Sequence, residues 1–287
     1  MQRALEVEGP YDFRATLQIH QLGSHDPTVR FGPGTIVKAL DGPAGPVTLS
    51  AEWRPPRVLV SLEGPGASWL EPRLPAFFGL HDRPWAPPAG PLHALWLAHR
   101  GLRLARAPTL LERHAGFVLQ QRVTFGEAAR AWRVVHEREG ASAPGAAELR
   151  VPLDAERWRR VSAADAGRLG LDLKRWTALQ EAARASHHVA RAEDDHAALR
   201  VVLDAIPGTG PWTRECVLGF ARGDADALPL GDVHFAPTVT RFFDGRPQAS
   251  DARMVELLEP LRPHRFRVLR WLVQPRYGPL ASGARTR

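Results

Sequence analysis

The sequence predicts an α+β protein: a small antiparallel β-sheet domain with helices over residues 1–100, followed by an all-helical domain over residues 101–280. Two observations predict this division. Fourteen of the 26 prolines precede Arg100, and short segments there alternate apolar and polar residues with a period of two. Beyond Arg100 the apolar residues recur at steps of three and four, as in helices. Residues 281–287 are predicted to be a disordered tail.

Three segments of the first domain have the alternation of β-strands, namely residues 13–19, 47–53 and 57–62. The two prolines between the last two segments are typical of a turn. A helix is predicted over residues 68–78. These elements are enough for a small sheet covered by one or two helices.

Four segments of the second domain carry apolar residues at helical spacing: residues 110–121, 125–139, 168–185 and 196–203. Thr124 precedes the second segment and Glu127 lies three residues later, which is the spacing of a capping box. Asp165 is placed to cap the helix that begins before Leu169.

Composition excludes several classes of protein. A single cysteine, Cys216, excludes a disulfide framework, a cysteine-ligated iron–sulfur cluster and a zinc site with four cysteines. No apolar run approaches the roughly 20 residues that a membrane-spanning helix needs. No signal peptide is recognisable at the amino terminus, so we expect a cytoplasmic protein.

The chain is basic, because 38 Lys and Arg against 31 Asp and Glu give a net charge of +7. Only Lys38 and Lys174 are lysines. Between residues 241 and 287, ten arginines against four acidic residues account for +6 of that charge. A GC-rich genome explains a preference for arginine, but the concentration of charge suits a polyanionic partner.

Residues 203–235 carry most of the information on function. The segment 206–213, Ile-Pro-Gly-Thr-Gly-Pro-Trp-Thr, predicts a helix end, a reversal and a second helix that starts by Trp212. Gly208 and Gly210 allow another molecule to approach the backbone closely. The free N–H groups at the start of the second helix form an anion site, and a backbone phosphate would occupy it whatever the base sequence.

These residues also fit other interpretations. The same residues are also typical of an ordinary turn between two helices. A dinucleotide-binding fingerprint is excluded, because Thr213 stands where a third glycine is needed and a helix precedes the segment. Histidines 187, 188 and 196 with aspartates 194 and 195 lack the spacing of a metal site, and we expect them on the surface.

The whole string of residues 206–213, followed by Pro229-Leu-Gly-Asp232, resembles the helix-hairpin-helix DNA glycosylase superfamily, and within it the DNA-3-methyladenine glycosylase II type. Residues 119–124 (LQQRVT), 170–175 (GLDLKR) and 262–267 (RPHRFR) resemble other segments of that family. The resemblance covers residues 101–275. It implies a helix-hairpin-helix glycosylase core behind a β domain similar in outline to the extra domain of that branch.

The resemblance gives Asp232 the catalytic role, because an aspartate after the hairpin faces the extruded nucleotide in this family. Cleaving an N-glycosidic bond builds positive charge on the deoxyribose, and a nearby carboxylate stabilises that charge and activates water. The alternative is that Asp232 only caps a helix. Pro237 favours a helix that starts at Ala236, which would leave Asp232 one turn upstream.

Trp212 occupies the position where bifunctional relatives carry a Schiff-base lysine, which implies a monofunctional enzyme without AP-lyase activity. Its indole is expected to form a wall for the flipped base, although a core aromatic is an equal alternative. Cys216 and Val273 are assigned to the same base pocket. Both stand where aromatic residues are expected, so the identity of the damaged base stays open.

Arg122 is placed where the family inserts a wedge into the gap that the flipped base leaves, and a solvated arginine is the alternative. The remaining residues assigned to DNA binding come from two segments of the chain: Gln121 and Thr124 from the first, and Gly208, Thr209, Gly210 and Thr213 from the second.

Together these features predict a monomeric base-excision enzyme, associated with the nucleoid, that removes 3-methyladenine-like alkylated bases from damaged double-stranded DNA. No cofactor is required, although the resemblance implies a structural Na⁺ or K⁺ held by backbone carbonyls near Thr209. Two alternatives stay open: the same fold acting on deaminated or oxidised bases, and a non-catalytic module that binds DNA structure.

Overall fold

The computed structural model describes residues 1–246 and 250–274. Its amino-terminal part is a five-stranded antiparallel sheet in the order β1-β5-β4-β3-β2. The strands are β1 (Gln2–Glu6), β2 (Val29–Gly32), β3 (Thr35–Gly42), β4 (Gly45–Arg54) and β5 (Arg57–Glu63). The strands predicted at 47–53 and 57–62 are therefore confirmed as β4 and β5.

The strand predicted at residues 13–19 is wrong. This segment forms a short helix, α1 (Phe13–Leu17), followed by a single 3₁₀ turn. Asp12 caps it, since its carboxylate accepts a hydrogen bond from the Ala15 N–H at 2.9 Å. Phe13, Thr16 and Leu17 are buried, and they are spaced by three and four residues, as in a helix. The same segment also alternates like a strand, so the sequence pattern fits both structures.

The helix predicted at residues 68–78 is present but interrupted. It consists of α2 (Ala67–Leu70), a 3₁₀ turn and α3 (Leu74–Phe77). Pro72 and Pro75 lack the N–H groups that a continuous helix would need. A further helix, α4 (Pro91–His99), leads towards the helical part.

Ten helices follow in the described residues. They are α5 (Leu110–Leu119), α6 (Phe125–Glu139), α7 (Ala155–Arg160), α8 (Ala163–Arg168), α9 (Leu173–Arg191), α10 (His196–Asp204), α11 (Pro211–Cys216), α12 (Phe235–Asp244), α13 (Asp251–Leu258) and α14 (Arg265–Leu272). The predicted helices at 110–121, 125–139 and 196–203 are confirmed as α5, α6 and α10. The capping box of Thr124 and Glu127 is also confirmed at the start of α6.

The helix predicted at 168–185 begins later than expected, and its predicted cap is wrong. Asp165 lies inside α8, whose cap is Ser162, and the chain then turns at Gly170 with φ +76°. Asp172 caps α9 by accepting a hydrogen bond from the Arg175 N–H at 2.9 Å. The turn at Gly170 and the Asp172 cap therefore separate Arg168, the last residue of α8, from the rest of the predicted helix.

The carboxy-terminal part is not all-helical as predicted. A two-stranded antiparallel hairpin, β6 (Ser142–Ala143) and β7 (Ala146–Arg150), lies between α6 and α7. Pro144 and Gly145 form its two-residue loop, and Gly145 adopts φ +66°. Leu149 and Val151 form a small core with Ala39 of β3, so this hairpin joins the helices to the sheet.

Buried polar contacts also connect the sheet to the helices. The Lys38 ammonium of β3 contacts the Glu112 carboxylate of α5, and the Trp132 indole of α6 donates to Asp26 at 3.0 Å. The division near residue 100 stays a prediction, and the tail at 281–287 lies outside the described residues. Among the helices that the structure describes, none is long and apolar enough to cross a membrane.

Candidate active site and nucleic-acid interface

The segment 206–213 folds as a helical hairpin in which α10 and α11 are joined by residues 205–210, here called the hairpin loop. The Thr209 N–H donates to the Ile206 carbonyl at 3.0 Å, which closes the turn. Gly208 adopts φ +84°, and Gly210 takes the N-cap position of α11, directly before Pro211. The local sequence thus accounts for the reversal.

The two glycines of the hairpin loop differ in whether the fold requires them. A Cβ at Gly208 would lie 2.4 Å from the Ala178 Cβ of α9, so this glycine is required for packing and for its positive φ. A Cβ at Gly210 would have no atom within 4 Å among its surroundings, and its φ is −77°. Packing does not demand a glycine at residue 210, although glycine is among the residues favoured at an N-cap.

Side chains of α5 and of the turn that follows it hold the hairpin in place. Gln121 Nε2 donates to the Gly208 carbonyl at 2.9 Å and to the Thr213 hydroxyl at 2.8 Å. His114 Nε2 lies 2.7 Å from the Thr209 hydroxyl. Because the side chains of Thr209 and Thr213 are buried and bonded within the protein, only their backbone is available to DNA.

Arg122 lies beside the hairpin, because its neighbour Gln121 is hydrogen-bonded to residues of the hairpin. Arg122 is exposed and adopts φ +57°, the one positive φ of a non-glycine residue in the described part of the chain. Thr124, exposed as well, uses its hydroxyl in the capping box with Glu127. Arg122 therefore projects from a tight turn, whereas the Thr124 side chain is occupied by the start of α6.

Asp232 is held by two independent sets of hydrogen bonds. Its Oδ2 accepts from the Trp212 indole Nε1 at 2.8 Å. Its Oδ1 accepts from the N–H groups of His234 and Phe235 at 2.8 and 3.1 Å, just where α12 begins. Asp232 thus helps to start α12 and also faces the hairpin, so capping and catalysis do not exclude each other. The helix itself starts at Phe235, one residue before the predicted position.

An aromatic cluster extends from Trp212 into the protein. The Phe117 ring lies edge-on to Trp212 with centroids 6.1 Å apart, and Phe220 lies 5.7 Å from Phe117. Phe266 then meets Phe220 edge-on at 4.9 Å. Sequence reasoning missed Phe117, Phe220 and Phe266, although Phe117 precedes Gln121 by one helical turn, a spacing that could have marked it.

Cys216 is 1% exposed and belongs to the hydrophobic core behind Trp212. Burial raises the pKa of Cys216 well above its usual value; the Asp232 charge adds to the rise and the Arg113 charge opposes it. The thiol is therefore neutral at physiological pH. Val273 follows α14 and packs, half-buried, against the same core.

Three of the carboxy-terminal arginines are buried, whereas the four described ones between residues 241 and 262 are exposed and the remaining three lie outside the described residues. Arg265 binds Asp226 through two nitrogens at 2.9 and 2.8 Å, and Arg267 binds Asp82 at 2.8 and 2.6 Å. Arg270 is buried over the Phe220 ring. These guanidiniums contribute to the packing of α14, because carboxylates distant in sequence match their planar fork.

The two lysines lie in different environments. Lys38 is 0% exposed and paired with Glu112, whereas Lys174 is exposed in the first turn of α9. The rings of His187 and His188 lie against each other at a tilt of 41°, with centroids 3.8 Å apart. No group of three side chains able to hold a metal ion exists within residues 1–246 and 250–274.

Solved structures with the same fold include enzymes of DNA repair. A 3-methyladenine DNA glycosylase from Archaeoglobus fulgidus matches with a TM-score of 0.79 at 17% identity, covering 96% of this chain and 98% of that one. MBOgg1 in complex with a low-affinity DNA ligand matches with a TM-score of 0.75 at 12% identity, covering 94% and 93%. An 8-oxoguanine glycosylase/lyase from Clostridium acetobutylicum matches with a TM-score of 0.69 at 10% identity, covering 91% and 92%.

No protein-family model and no curated protein matches this sequence. The structural matches nevertheless extend over almost the whole chain, including the sheet. The chain therefore has the fold of the helix-hairpin-helix DNA glycosylases.

Proposed function

We propose that this protein is a monofunctional DNA glycosylase that flips alkylated bases of the 3-methyladenine type out of duplex DNA and releases them in base excision repair. One observation carries the proposal: the Trp212–Asp232 hydrogen bond of 2.8 Å, which places a carboxylate beside a helical hairpin. The glycosylase fold supports the same conclusion.

In the proposed reaction, the C1′–N bond of the damaged nucleotide breaks and the base leaves with the bonding electron pair. The sugar becomes an oxocarbenium-like cation, which the Asp232 carboxylate stabilises. Water then forms the new C1′–O bond and gives its proton to Asp232 or to solvent. Trp212, His234 and Phe235 position Asp232 by their N–H groups, so the carboxylate needs no rearrangement during the reaction.

The aromatic cluster supports an alkylated purine as substrate. Trp212 and Phe220 are half-buried, so each presents part of its ring to an incoming base. An alkylated purine nucleotide is already cationic, and aromatic faces attract cations. Its base also leaves as a neutral molecule, so a single aspartate is sufficient for the chemistry. Cys216 and Val273 are proposed as further walls of this base pocket.

Arg122 and the hairpin loop are proposed to hold the DNA. Gly208 and Gly210 offer backbone N–H groups to a phosphate on either side of Thr209, whose own N–H closes the turn, and Gln121 fixes this loop relative to Arg122. Arg122 would fill the gap in the base stack. Extrusion costs a few kcal/mol, so a side chain that occupies the vacated space favours the open state.

A monovalent cation at the hairpin fits the donors present. The carbonyls of Ile206, Gly208 and Gly210 each accept one hydrogen bond within the protein, and each oxygen keeps a second lone pair. Such an ion would add positive charge near a bound phosphate and takes no part in bond cleavage. We propose it as a structural ion only.

Deaminated or oxidised bases are a second class of candidate substrate for the same fold. The 8-oxoguanine glycosylase/lyase from Clostridium acetobutylicum, which has the same fold, supports this class. A non-catalytic module that binds DNA structure is the remaining alternative, and only an activity measurement separates it from an enzyme.

Substitution of Asp232 tests the proposal. Asp232→Asn should bind a duplex containing 3-methyladenine like the wild type, but should lose base release by several orders of magnitude in single-turnover assays. Trp212→Phe keeps a ring but removes the N–H donor, and should slow release by about tenfold to hundredfold, as expected for a hydrogen bond to a charged group. Near-normal release by Asp232→Asn would overturn the catalytic assignment.

A further inference from the structure

Glu215 is a buried carboxylate that joins the two helices of the hairpin. It lies on α11 and is 7% exposed. Its Oε1 accepts hydrogen bonds from Arg200 Nε of α10 at 3.0 Å and from Arg214 Nε at 2.9 Å. Burial raises the pKa of Glu215, but the hydrogen bonds from Arg200 and from the Leu228 N–H lower it more, so the pKa lies below its usual value. Glu215 is therefore charged, and the two guanidiniums compensate its charge.

One hydrogen bond of Glu215 reaches beyond the hairpin. Its Oε2 accepts the backbone N–H of Leu228 at 3.1 Å, besides a second bond from Arg200 at 3.2 Å. Leu228 is buried, so its N–H needs an acceptor within the protein. Residues 228–232, Leu-Pro-Leu-Gly-Asp, are here called the aspartate loop, because they end at Asp232. Glu215 therefore holds the first residue of the loop that carries the proposed catalytic carboxylate.

The last residue of the aspartate loop is held by the same helix. Trp212 and Glu215 are three residues apart on α11, so their side chains lie on the same side of it. Trp212 donates to Asp232 Oδ2 at 2.8 Å, whereas Glu215 accepts from the Leu228 N–H. The two side chains thus fix both ends of the loop to a single helix.

The chain between these two ends is restricted as well. The ring of Pro229 fixes its φ, and Gly231 adopts φ +81°, which glycine takes without strain. The Gly231 N–H donates to Asp251 Oδ2 of α13 at 2.6 Å. Because Leu230 and Gly231 are exposed, hydrogen bonds rather than apolar packing hold this part of the loop.

We propose that Glu215 is a positioning residue for Asp232, which ties the aspartate loop to both helices of the hairpin. The inference rests on the proposed function. There the hairpin binds a phosphate of the damaged strand, and the Asp232 carboxylate must meet C1′ of a nucleotide on that strand. Glu215 is bonded to α10 through Arg200 and to the aspartate loop through Leu228. It therefore sets the distance between the bound phosphate and the carboxylate without touching the substrate.

A positioning role and a purely structural role have different consequences. A carboxylate stabilises the developing sugar cation only if it is held close to C1′ before the reaction begins. Loss of the Leu228 contact should therefore slow base release, while the phosphate contacts of the hairpin loop persist and DNA affinity changes little. If Glu215 only stabilised the hairpin, its loss would weaken DNA binding together with base release.

The test measures base release and DNA affinity separately. Release from a duplex with a single 3-methyladenine is followed at saturating enzyme, and affinity is measured on a duplex with an abasic site. Glu215→Ala should slow release by about tenfold to hundredfold with little change in affinity, as expected for a lost hydrogen bond to a charged group. Glu215→Gln keeps an oxygen that can accept the Leu228 N–H and should recover part of the rate.

Asp204→Asn is the matched control for the Glu215 variants. Asp204, at the end of α10, is the other carboxylate that Arg214 contacts, and it is bonded to no residue of the aspartate loop within the described part of the chain. The variant should release the base at the wild-type rate.

An ester bond at residue 228 keeps the inference testable if the Glu215 variants do not fold. Replacing Leu228 by its α-hydroxy acid puts an oxygen in place of the N–H and leaves every side chain unchanged, including Glu215 and its arginine partners. The ester should also slow release by about tenfold, again with little change in affinity.

The outcomes distinguish this role from the proposed function. Release at the wild-type rate by folded Glu215→Ala or by the ester would overturn the positioning role and leave the proposed function intact. Equal losses of release rate and DNA affinity would overturn it too. A wild type that releases no damaged base would contradict the proposed function and, with it, the role of Glu215.

Discussion

His114 Nε2 and the Thr209 hydroxyl lie 2.7 Å apart, and both side chains are buried. This contact fixes the hairpin loop to α5, the helix that also carries Arg113 and Phe117. Burial lowers the pKa of His114 from 6.5 to about 4, so the ring is neutral at physiological pH. The position of the hairpin therefore depends on a histidine that resists protonation in the folded state.

We expect acid to destabilise the protein through its buried histidines. Burial also lowers the pKa of His136 from 6.5 to about 4. Because the unfolded chain binds protons more readily between pH 6.5 and pH 4, stability is full above pH 6.5 and falls as the pH drops towards 4. Each histidine contributes up to roughly 3 kcal/mol to this loss. The measurement is the midpoint of thermal unfolding between pH 7 and pH 4.

The variant His114→Gln isolates the contribution of one histidine. Glutamine can still bond to Thr209 but does not titrate, so the unfolding midpoint should depend less steeply on pH than in the wild type. His188→Gln is the control, because that ring is exposed on α9. An unchanged pH dependence in His114→Gln would contradict the explanation.

Substitutions of the two glycines in the hairpin loop should have separate effects on DNA binding and on stability. Gly210→Ala has open space and an ordinary φ, so it should fold normally but hold DNA at a distance. We expect weaker binding to damaged and intact duplexes alike, because the contact is with phosphate. Fluorescence anisotropy over a salt series should show log K falling by about 0.9 per phosphate contact in the wild type.

Gly208→Ala is the matched comparison. Its φ of +84° and the approach of Ala178 to 2.4 Å predict a loss of stability of about 1 kcal/mol or more. Binding that hardly changes with salt, or Gly210→Ala binding as tightly as the wild type, would count against DNA contact at this loop.

Arg122→Gly tests the wedge. Glycine relieves the positive φ but is freer in the unfolded chain, so the free energy of unfolding should change by less than about 1 kcal/mol. Base release from a duplex should fall by about tenfold, whereas release from single-stranded DNA, which has no complementary strand to hold apart, should fall much less. Arg130→Ala, which removes an exposed arginine from α6, is the control for charge. Equal losses on both DNA forms would rule out the wedge.

Local signals predicted those parts of the fold that local interactions decide. Thr124 and Glu127 lie three residues apart in the sequence, so the start of α6 was readable. Residues 13–19 satisfied both the strand and the helix periods, and the Asp12 cap favoured the helix. The hairpin of β6 and β7 is too short for a periodic signal, and its strands gain stability by packing on β3.

Residues of the site could be predicted where a sequence motif marks them. They could not be predicted where their environment depends on a partner distant in the sequence. Asp232 and Trp212 were singled out by their place around the hairpin, and the structure brings them into contact, while their roles stay predictions. Arg265 and Arg267 counted as free charge, because Asp226 and Asp82 lie 39 and 185 residues away along the chain. Arg113 could not be distinguished from a surface arginine, since only the packed structure shows that it is buried and that its Nε has no hydrogen-bond partner.

The last prediction concerns the product. A lysine that attacks C1′ forms an imine with the sugar, which borohydride reduces to a stable protein–DNA adduct. Trp212 offers no amine at that position. Lys38 is buried against Glu112, Lys174 is exposed in the first turn of α9, and the amino group of Met1 donates to the Leu62 carbonyl of β5 at 2.8 Å. Water should therefore be the nucleophile.

We expect borohydride to trap no adduct on a substrate that the enzyme processes, and strand breaks should appear only after hot alkali. A lysine-bearing glycosylase/lyase on its own damaged duplex serves as the positive control. A robust adduct in the wild type that disappears in Lys174→Ala would show that this lysine reaches the sugar. The intact abasic site would then not be the product, because elimination would follow the imine and break the strand.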